Sequence, residues 1–340
     1  MSAETNELVL VGDVGGTKTD LLILSAREGL AQPVARARLK SAEYPDLQSL
    51  LGEFLATAGL TVAHACLDVA GPVVGGRAQL TNLPWEVDAQ NLAAALSLRT
   101  VDILNDLAAL AHAVPLLGAA DVKTLNPGRD VPGATKAVIA PGTGLGEAFL
   151  VWDGARYCPQ PSEGGHADFA PPREDLAGLI PYLRRHVDHV SFELVCSGKG
   201  IPHLYDFLRD QQLSRESPAV AAALATSLDR TPVILAAALD PKSPCPLCQA
   251  TVEAFLTILA AKAGNLALTV FALGGVYVAG GIPPRLLPLL SAERFVQTFC
   301  AKGRFAKLLA DIPVHVVTNP NATLMGTAAY GLAQARRAAT

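Results

Sequence analysis

A chain of 340 residues, about 50 % hydrophobic, carries enough apolar material for two domains with their own cores, which excludes a disordered chain. Its 31 acidic and 27 basic residues leave a formal net charge of −4, so neither nucleic acid nor an anionic membrane surface is an expected partner, and a small molecule is. Six cysteines and a start, MSAETNELVLVGD, without a charged n-region and apolar h-region lead us to expect a cytoplasmic protein with free thiols.

In chain order, residues 6–11 read as a strand running into Gly12, and residues 21–24 resume it, so the first unit is a hairpin around a glycine turn. Residues 65–70, ending at Gly71-Pro72, and 100–104, ending at Asn105-Asp106, read as strands with helical followers, an α/β alternation. A second glycine-rich turn, Pro141-Gly142-Thr143-Gly144-Leu145-Gly146, lies between strands at 137–140 and 148–152, and its return suggests two related halves meeting near 115–117. Helical patterns follow at 175–186, 220–239 and 250–273, then a strand at 276–279 before Gly280-Gly281, a closing strand at 314–318 and a small-residue helix at 324–335. The uncharged stretch 263–284 is long enough to cross a bilayer, but Asn265, Thr269 and two glycine pairs interrupt it, and a helix followed by a strand explains it better.

Gly12-Asp13-Val14-Gly15-Gly16-Thr17-Lys18-Thr19 departs from the P-loop GxxxxGK[ST] at Thr17 and leads into the strand-like TDLLILS instead of a helix. It reads as a hairpin turn whose backbone N–H groups and Thr17 hydroxyl face phosphate oxygens, with Asp13 holding Mg²⁺ through water; the plainer alternative is a tight turn that merely needs glycine. Lys18 either reaches a phosphate or is solvated. Thr143 and Gly144 in the second turn would grip the same nucleotide from the other side, and Gly280-Gly281 would admit a base or ribose, or serve tight packing. Asn105-Asp106 stands where open α/β sheets place ligand groups; it is either a helix N-cap or a carboxylate able to take a proton from a substrate hydroxyl. Glu163-Gly164-Gly165-His166 pairs an acid with an imidazole, suited to neutral hydroxyls, and Glu193 adds an acceptor, whereas His186 and His189 read as structural. Cys245-Pro246-Leu247-Cys248 is half a zinc site without its other half, and Cys300 stands by itself, so no metal or redox role is expected of them.

With LVGDVGGTKT, LTNLPW, ILNDLAA, PGTGLGEAFL, SEGGHADFAP, HVSFELVCSGKGI, GNLALTVFALGGVYVAGGI and KGRFAKLLADIPVHVV in this order, the chain resembles the bacterial glucokinases of the hexokinase and actin-like superfamily, in the branch without the zinc motif. The resemblance implies a two-domain, actin-like (ribonuclease H-like) α/β sugar kinase fold with a central cleft, a small domain of residues 1–116 with 319–340 and a large one of 117–318. It implies ATP-dependent phosphorylation of D-glucose at the 6-hydroxyl, the entry step of glycolysis, with ATP and Mg²⁺ as cofactors, in a homodimer. By position in these segments, Asp106 resembles the general base, and Asn105, Glu163, His166 and Glu193 the sugar-hydroxyl ligands, joined by Thr81 and Asn82. Asp13, Gly15, Gly16 and Thr17 resemble the first phosphate turn, Thr143 and Gly144 the second, and Gly280 and Gly281 the adenosine site. Ser162, Lys199 and Asp68 depart from the family pattern, and Asp68, inside the apolar CLDVAGPV, is costly to bury. A kinase for fructose, mannose or an N-acetylated hexosamine is the neighbouring reading, and an actin-like ATPase or assembly protein the one from another class. A zinc-loop sugar kinase is disfavoured because no cysteine lies near His166, and a repressor because only seven residues precede Leu8.

Overall fold

LVLVGDV and TDLLILS are apolar on both faces, as strands covered on two sides must be, and they form the antiparallel hairpin of β1 (Leu8–Val14) and β2 (Thr19–Ser25). Gly12 and Asp13 therefore belong to the strand, and the turn is only residues 15–18. A Cβ at Gly12 would stand 2.8 Å from a Leu21 methyl and 2.9 Å from a Leu67 methyl, so glycine there serves packing and not the turn.

The computed structural model describes residues 7–80 and 83–338. The chain divides into two units, Met1–Gly118 with Asn319–Thr340, and Ala119–Thr318. In the first, β3 (Ala35–Leu39) extends the hairpin, α1 (Leu47–Ala58) follows, and β4 (His64–Val69) runs parallel to β1. The helix expected after β4 is replaced by a small sheet of β5 (Val73–Val74), β6 (Arg77–Gln79) and β7 (Glu86–Asp88). Gly71, Gly75 and Gly76 hold φ of 140°, 59° and 74°, a run of backbone no helix accepts. After α2 (Ala89–Ala95) come β8 (Thr100–Asn105) and α3 (Asp106–Ala113), completing a sheet of order β3-β2-β1-β4-β8. The C-terminal helix, Ala322–Ala338, covers this sheet with Leu324, Ala328 and Leu332 against Val9, Val11 and Leu24. Its Gly326 meets the Ala109 carbonyl of α3 so closely that any Cβ would overlap it.

The second unit repeats the pattern. Its sheet is built from β9 (Val122–Asn126), β10 (Lys136–Pro141), β11 (Leu145–Trp152), β12 (Tyr157–Ser162), β13 (Val276–Val278) and β14 (Val314–Val317) in the order β12-β11-β10-β13-β14-β9. Again a three-strand antiparallel meander is followed by two parallel strands, and β9 is an antiparallel addition at the edge. The helices are α4 (Leu179–Leu183), α5 (Ile201–Asp210), α6 (Pro218–Thr226), α7 (Arg230–Leu239), α8 (Pro246–Thr269), α9 (Ala292–Cys300) and α10 (Ala306–Ala310). Two expected helices are shorter for one reason: proline must sit in a first turn, where its missing N–H costs nothing. Pro181 thus confines the helix expected at 175–186 to α4, and Pro232 splits the one expected at 220–239 into α6 and α7.

α8 is long and apolar enough to cross a membrane by length and composition, but 78 % of its most apolar window is buried inside this unit, where Phe255, Ile258 and Leu259 are fully enclosed. The uncharged stretch 263–284 is the end of α8, β13 and the turn that follows, a helix and then a strand. The helix stops at Thr269 because Phe271 turns left-handed, φ 53°, letting the Ala272 N–H reach the Ala267 carbonyl at 2.9 Å. Glycine is the usual residue at this position, and a phenylalanine, 56 % exposed, is strained there. Phe271→Gly is expected to stabilise the protein by about 0.5–1 kcal/mol in denaturant unfolding; a loss of that size would show that the ring's contacts outweigh the backbone strain.

Candidate active site

In the first unit the Gly15 N–H closes the turn on the Lys18 carbonyl at 3.0 Å, which leaves Gly16 and the exposed Thr17 and Lys18 at its tip. Ser41, fully buried and not anticipated, holds the turn from beneath: its hydroxyl donates to the Gly15 carbonyl at 2.6 Å and its N–H to the Thr17 carbonyl at 3.2 Å. The β ladder sets three carboxyl groups abreast, Asp20 opposite Asp13 and Asp13 beside Asp68. Like charges so placed repel, and each is handled differently. Burial raises Asp20, but Arg38, at 2.6 and 3.1 Å, and Lys18, at 3.4 Å, more than offset this and hold it below the usual carboxylate range.

Asp68 is wholly buried, and burial followed by the Asp13 charge pushes it well above that range. Its proton has a place in the geometry. A hydrogen bond between the two carboxyls raises Asp68 and lowers Asp13, which places the proton between them, while the Thr327 hydroxyl donates to Asp68 Oδ2 at 2.5 Å and to the Thr323 carbonyl at 3.0 Å. The family departure is thus a buried acid whose protonated form is favoured by its surroundings. Asp13, half-buried, is raised by burial and by Asp20. Mg²⁺ typically takes one or two carboxylates together with water and phosphate oxygens. Asp13 offers one such carboxylate beside the turn, while no group of three or more His, Cys, Asp or Glu among the described residues could hold a metal. This donor set fits an ion arriving with a nucleotide.

At the end of β8, Asn105 is the N-cap of α3: its Oδ1 accepts from the Leu107 N–H at 2.9 Å and its Nδ2 donates to the Gly71 carbonyl at 2.9 Å. The plainer reading of Asn105 is therefore realised in full. Asp106, the first residue of α3, is exposed, with Oδ1 2.8 Å from the Leu107 N–H. Although part of the side chain reaches solvent, the protein around it costs the carboxylate hydration and raises it above the ordinary range, against the Leu107 and Asn105 hydrogen bonds that lower it. Thr81 and Asn82 lie outside the described residues.

In the second unit the turn between β10 and β11 is closed by the Gly142 N–H on the Gly144 carbonyl at 2.9 Å, with Thr143 exposed at its tip. A second loop, residues 197–199, was not anticipated as part of it: the Gly198 N–H donates to the Gly142 carbonyl at 2.7 Å. Gly280, φ 84°, lies against the Pro141 carbonyl where no Cβ fits, which brings Gly281 to the base of the same turn. Glu193 Oε2 accepts from the Leu145 N–H at 2.9 Å, and the Glu193 N–H donates to the Gly165 carbonyl at 2.8 Å. Glu193 therefore ties the phosphate-type turn to the Glu163–His166 segment. On that segment Glu163 and His166 are both exposed, Oε2 to Nε2 3.8 Å, and Ser162 Oγ accepts from the Gly164 N–H at 3.1 Å. Ser162, a departure from the family pattern, thus steadies the segment.

His189 pairs with Asp168 at 2.9 Å, and His186 lines a small cavity of about 140 Å³ with Tyr182 and His203. Cys245 and Cys248 are buried unpaired thiols, and burial pushes Cys248 far up. A larger groove of about 460 Å³ between α8 and α9 contains none of the candidate residues.

A folded pKa raised above the unfolded one means stability present at low pH and lost as pH rises through the folded value. Asp68→Asn, neutral at every pH, should unfold at or above the wild-type temperature at pH 8, with the wild type gaining on it as pH falls toward 5. A midpoint lower by about 5 °C or more at pH 8 would contradict a neutral Asp68.

Residues 10–334 match the family model described as Glucokinase. The chain is 40 % identical to a glucokinase of Nostoc sp. over 337 residues, covering 94 % of this chain and 98 % of that one. The crystal structure of a glucokinase from an Antarctic psychrotroph superposes with a TM-score of 0.80 at 33 % identity, over 96 % of this chain and 98 % of that one. A ROK family glucokinase from Streptomyces griseus, solved in complex with glucose and AMPPNP, shares the fold with a TM-score of 0.61 at 19 % identity, over 95 % and 99 % of the two chains. The α/β fold, the two glycine turns and the match along nearly the whole length agree, and the chain belongs to the glucokinase family.

Proposed function

We propose that this protein transfers the terminal phosphoryl group of ATP to the 6-hydroxyl of D-glucose, the entry step of glycolysis. The observation that carries the reading is the solvent-accessible carboxyl of Asp106, raised above its ordinary range at the start of α3, in a chain that matches the family over residues 10–334. Phosphoryl transfer asks a protein mainly for positioning and charge stabilisation. In this reading Asp106 accepts the proton of the attacking hydroxyl, and Asn105, Glu163, His166 and Glu193, with Thr81 and Asn82, hold the sugar. Asn105 and Glu193 already spend part of their hydrogen-bonding capacity on backbone N–H groups, so both are fixed before a sugar arrives and lose little freedom on binding.

Gly15, Gly16 and Thr17 with Thr143 and Gly144 are proposed to take the phosphates, and Gly280 and Gly281 the adenosine. Mg²⁺, held through water by Asp13, would neutralise phosphate charge. Asp20 is already balanced by Arg38 and burial favours the protonated form of Asp68, so Asp13 is the carboxyl of the three proposed to respond to a cation. The net charge of −4 argues against nucleic-acid and anionic-membrane partners, and the family resemblance supports a cytoplasmic homodimer. An assembly ATPase would have no use for the Asn105, Glu163, His166 and Glu193 set, which favours a sugar kinase.

Asp106→Asn should keep glucose affinity within about threefold while kcat falls by about 10²–10⁴. Turnover like that of the wild type would remove Asp106 from the role of base. Because the base must be ionised and its pKa is raised, kcat/KM should climb with pH along a limb lying above the ordinary aspartate value of about 3.9, and Asp106→Asn should lack that limb.

A further inference from the structure

The second unit buries a charge pair that the reaction does not use. Glu147 follows the glycine turn on β11 and is 1 % exposed; Lys262, inside α8, is 6 % exposed, with Nζ 3.0 Å from Glu147 Oε1. The ammonium also lies over the Phe192 ring, 4.9 Å from its centre. Burial raises Glu147 against the Lys262 charge that lowers it, and an apolar pair of equal volume would often serve stability as well, so a role in placement is the better account. Cys196, fully buried beside them, is pushed up by burial and by Glu147, so it stays a neutral thiol and adds no charge.

The pair reaches both segments assigned to the sugar. Glu147 Oε2 occupies the space where a Gly164 Cβ would stand, and the Phe192 ring over the ammonium immediately precedes Glu193. The segments are joined above it by the Glu193 N–H on the Gly165 carbonyl, 2.8 Å, and the Phe192 N–H on the Ala167 carbonyl, 3.0 Å. We propose that Glu147 and Lys262 are positioning residues for the hexose, one buried ion pair beneath the Glu163–His166 segment and Glu193 that fixes where those three side chains point. The proposal rests on the reading of these three residues as hexose ligands. With Lys262 gone, Glu147 must take a proton or draw in water, and either change is felt first at Gly164.

The test compares Lys262→Met, Glu147→Gln and the double variant of the full chain by steady-state kinetics with glucose and ATP varied in turn. Each single change should raise the glucose KM by about tenfold or more and the ATP KM by a clearly smaller factor, since Glu193 also meets the Leu145 N–H of the glycine turn, and the double variant should raise the glucose KM by less than the product of the two. A wild-type glucose KM in the single variants, whatever their thermal stability, or an ATP KM raised in parallel, would overturn the proposal and leave the pair a part of the core only. If Lys262→Met does not fold, the near-isosteric Glu147→Gln decides by the same criteria. A wild type that phosphorylates no hexose would overturn the kinase reading and this proposal together, a result distinct from the others.

Discussion

A carboxylate taken out of water must be given a proton, a cation or a set of donors, and most of the chemistry of this chain follows from how each acid meets that demand. Across the first sheet Asp20 is given Arg38, Asp68 keeps a proton, and Asp13 stands between them. In the second unit Glu147 is given Lys262. With Asp20, Asp68 and Glu147 settled in this way, Asp13, Asp106 and Glu163, together with the half-committed Glu193, are the acids proposed for ligand binding and proton transfer.

The same topology carries the open groups in both units: a meander whose first hairpin ends in a glycine turn, followed by two parallel strands. The turns present backbone and threonine, and each is braced from a distant segment, by Ser41 in one unit and by residues 197–199 in the other. Rigid support of this kind is what phosphoryl transfer needs, since the protein contributes geometry more than covalent chemistry. Ser162 and Glu193 do the same for the Glu163–His166 segment.

Much of this was legible in the sequence because its signals are local. Glycine turns between apolar runs marked both hairpins, and Asn105-Asp106 marked the start of α3. Helix limits were less legible, because Pro181 and Pro232 read as members of apolar patterns until their place in a first turn is enforced. α1 was passed over although Asp46 caps it and Gly59 ends it. The bracing residues had no local signal: Ser41 acts 26 positions from Gly15, and Lys262 meets Glu147 only because α8 packs beneath that sheet. Asp68 looked anomalous for the same reason, its partner Thr327 being 259 residues away.

The central claim, that these residues form a glucose kinase, is tested most directly by ADP release from purified protein with Mg-ATP and glucose, fructose, mannose, N-acetylglucosamine or no sugar. The account predicts strong release with glucose and little without sugar. Equal release with and without sugar would contradict it and point to an ATPase or assembly protein instead.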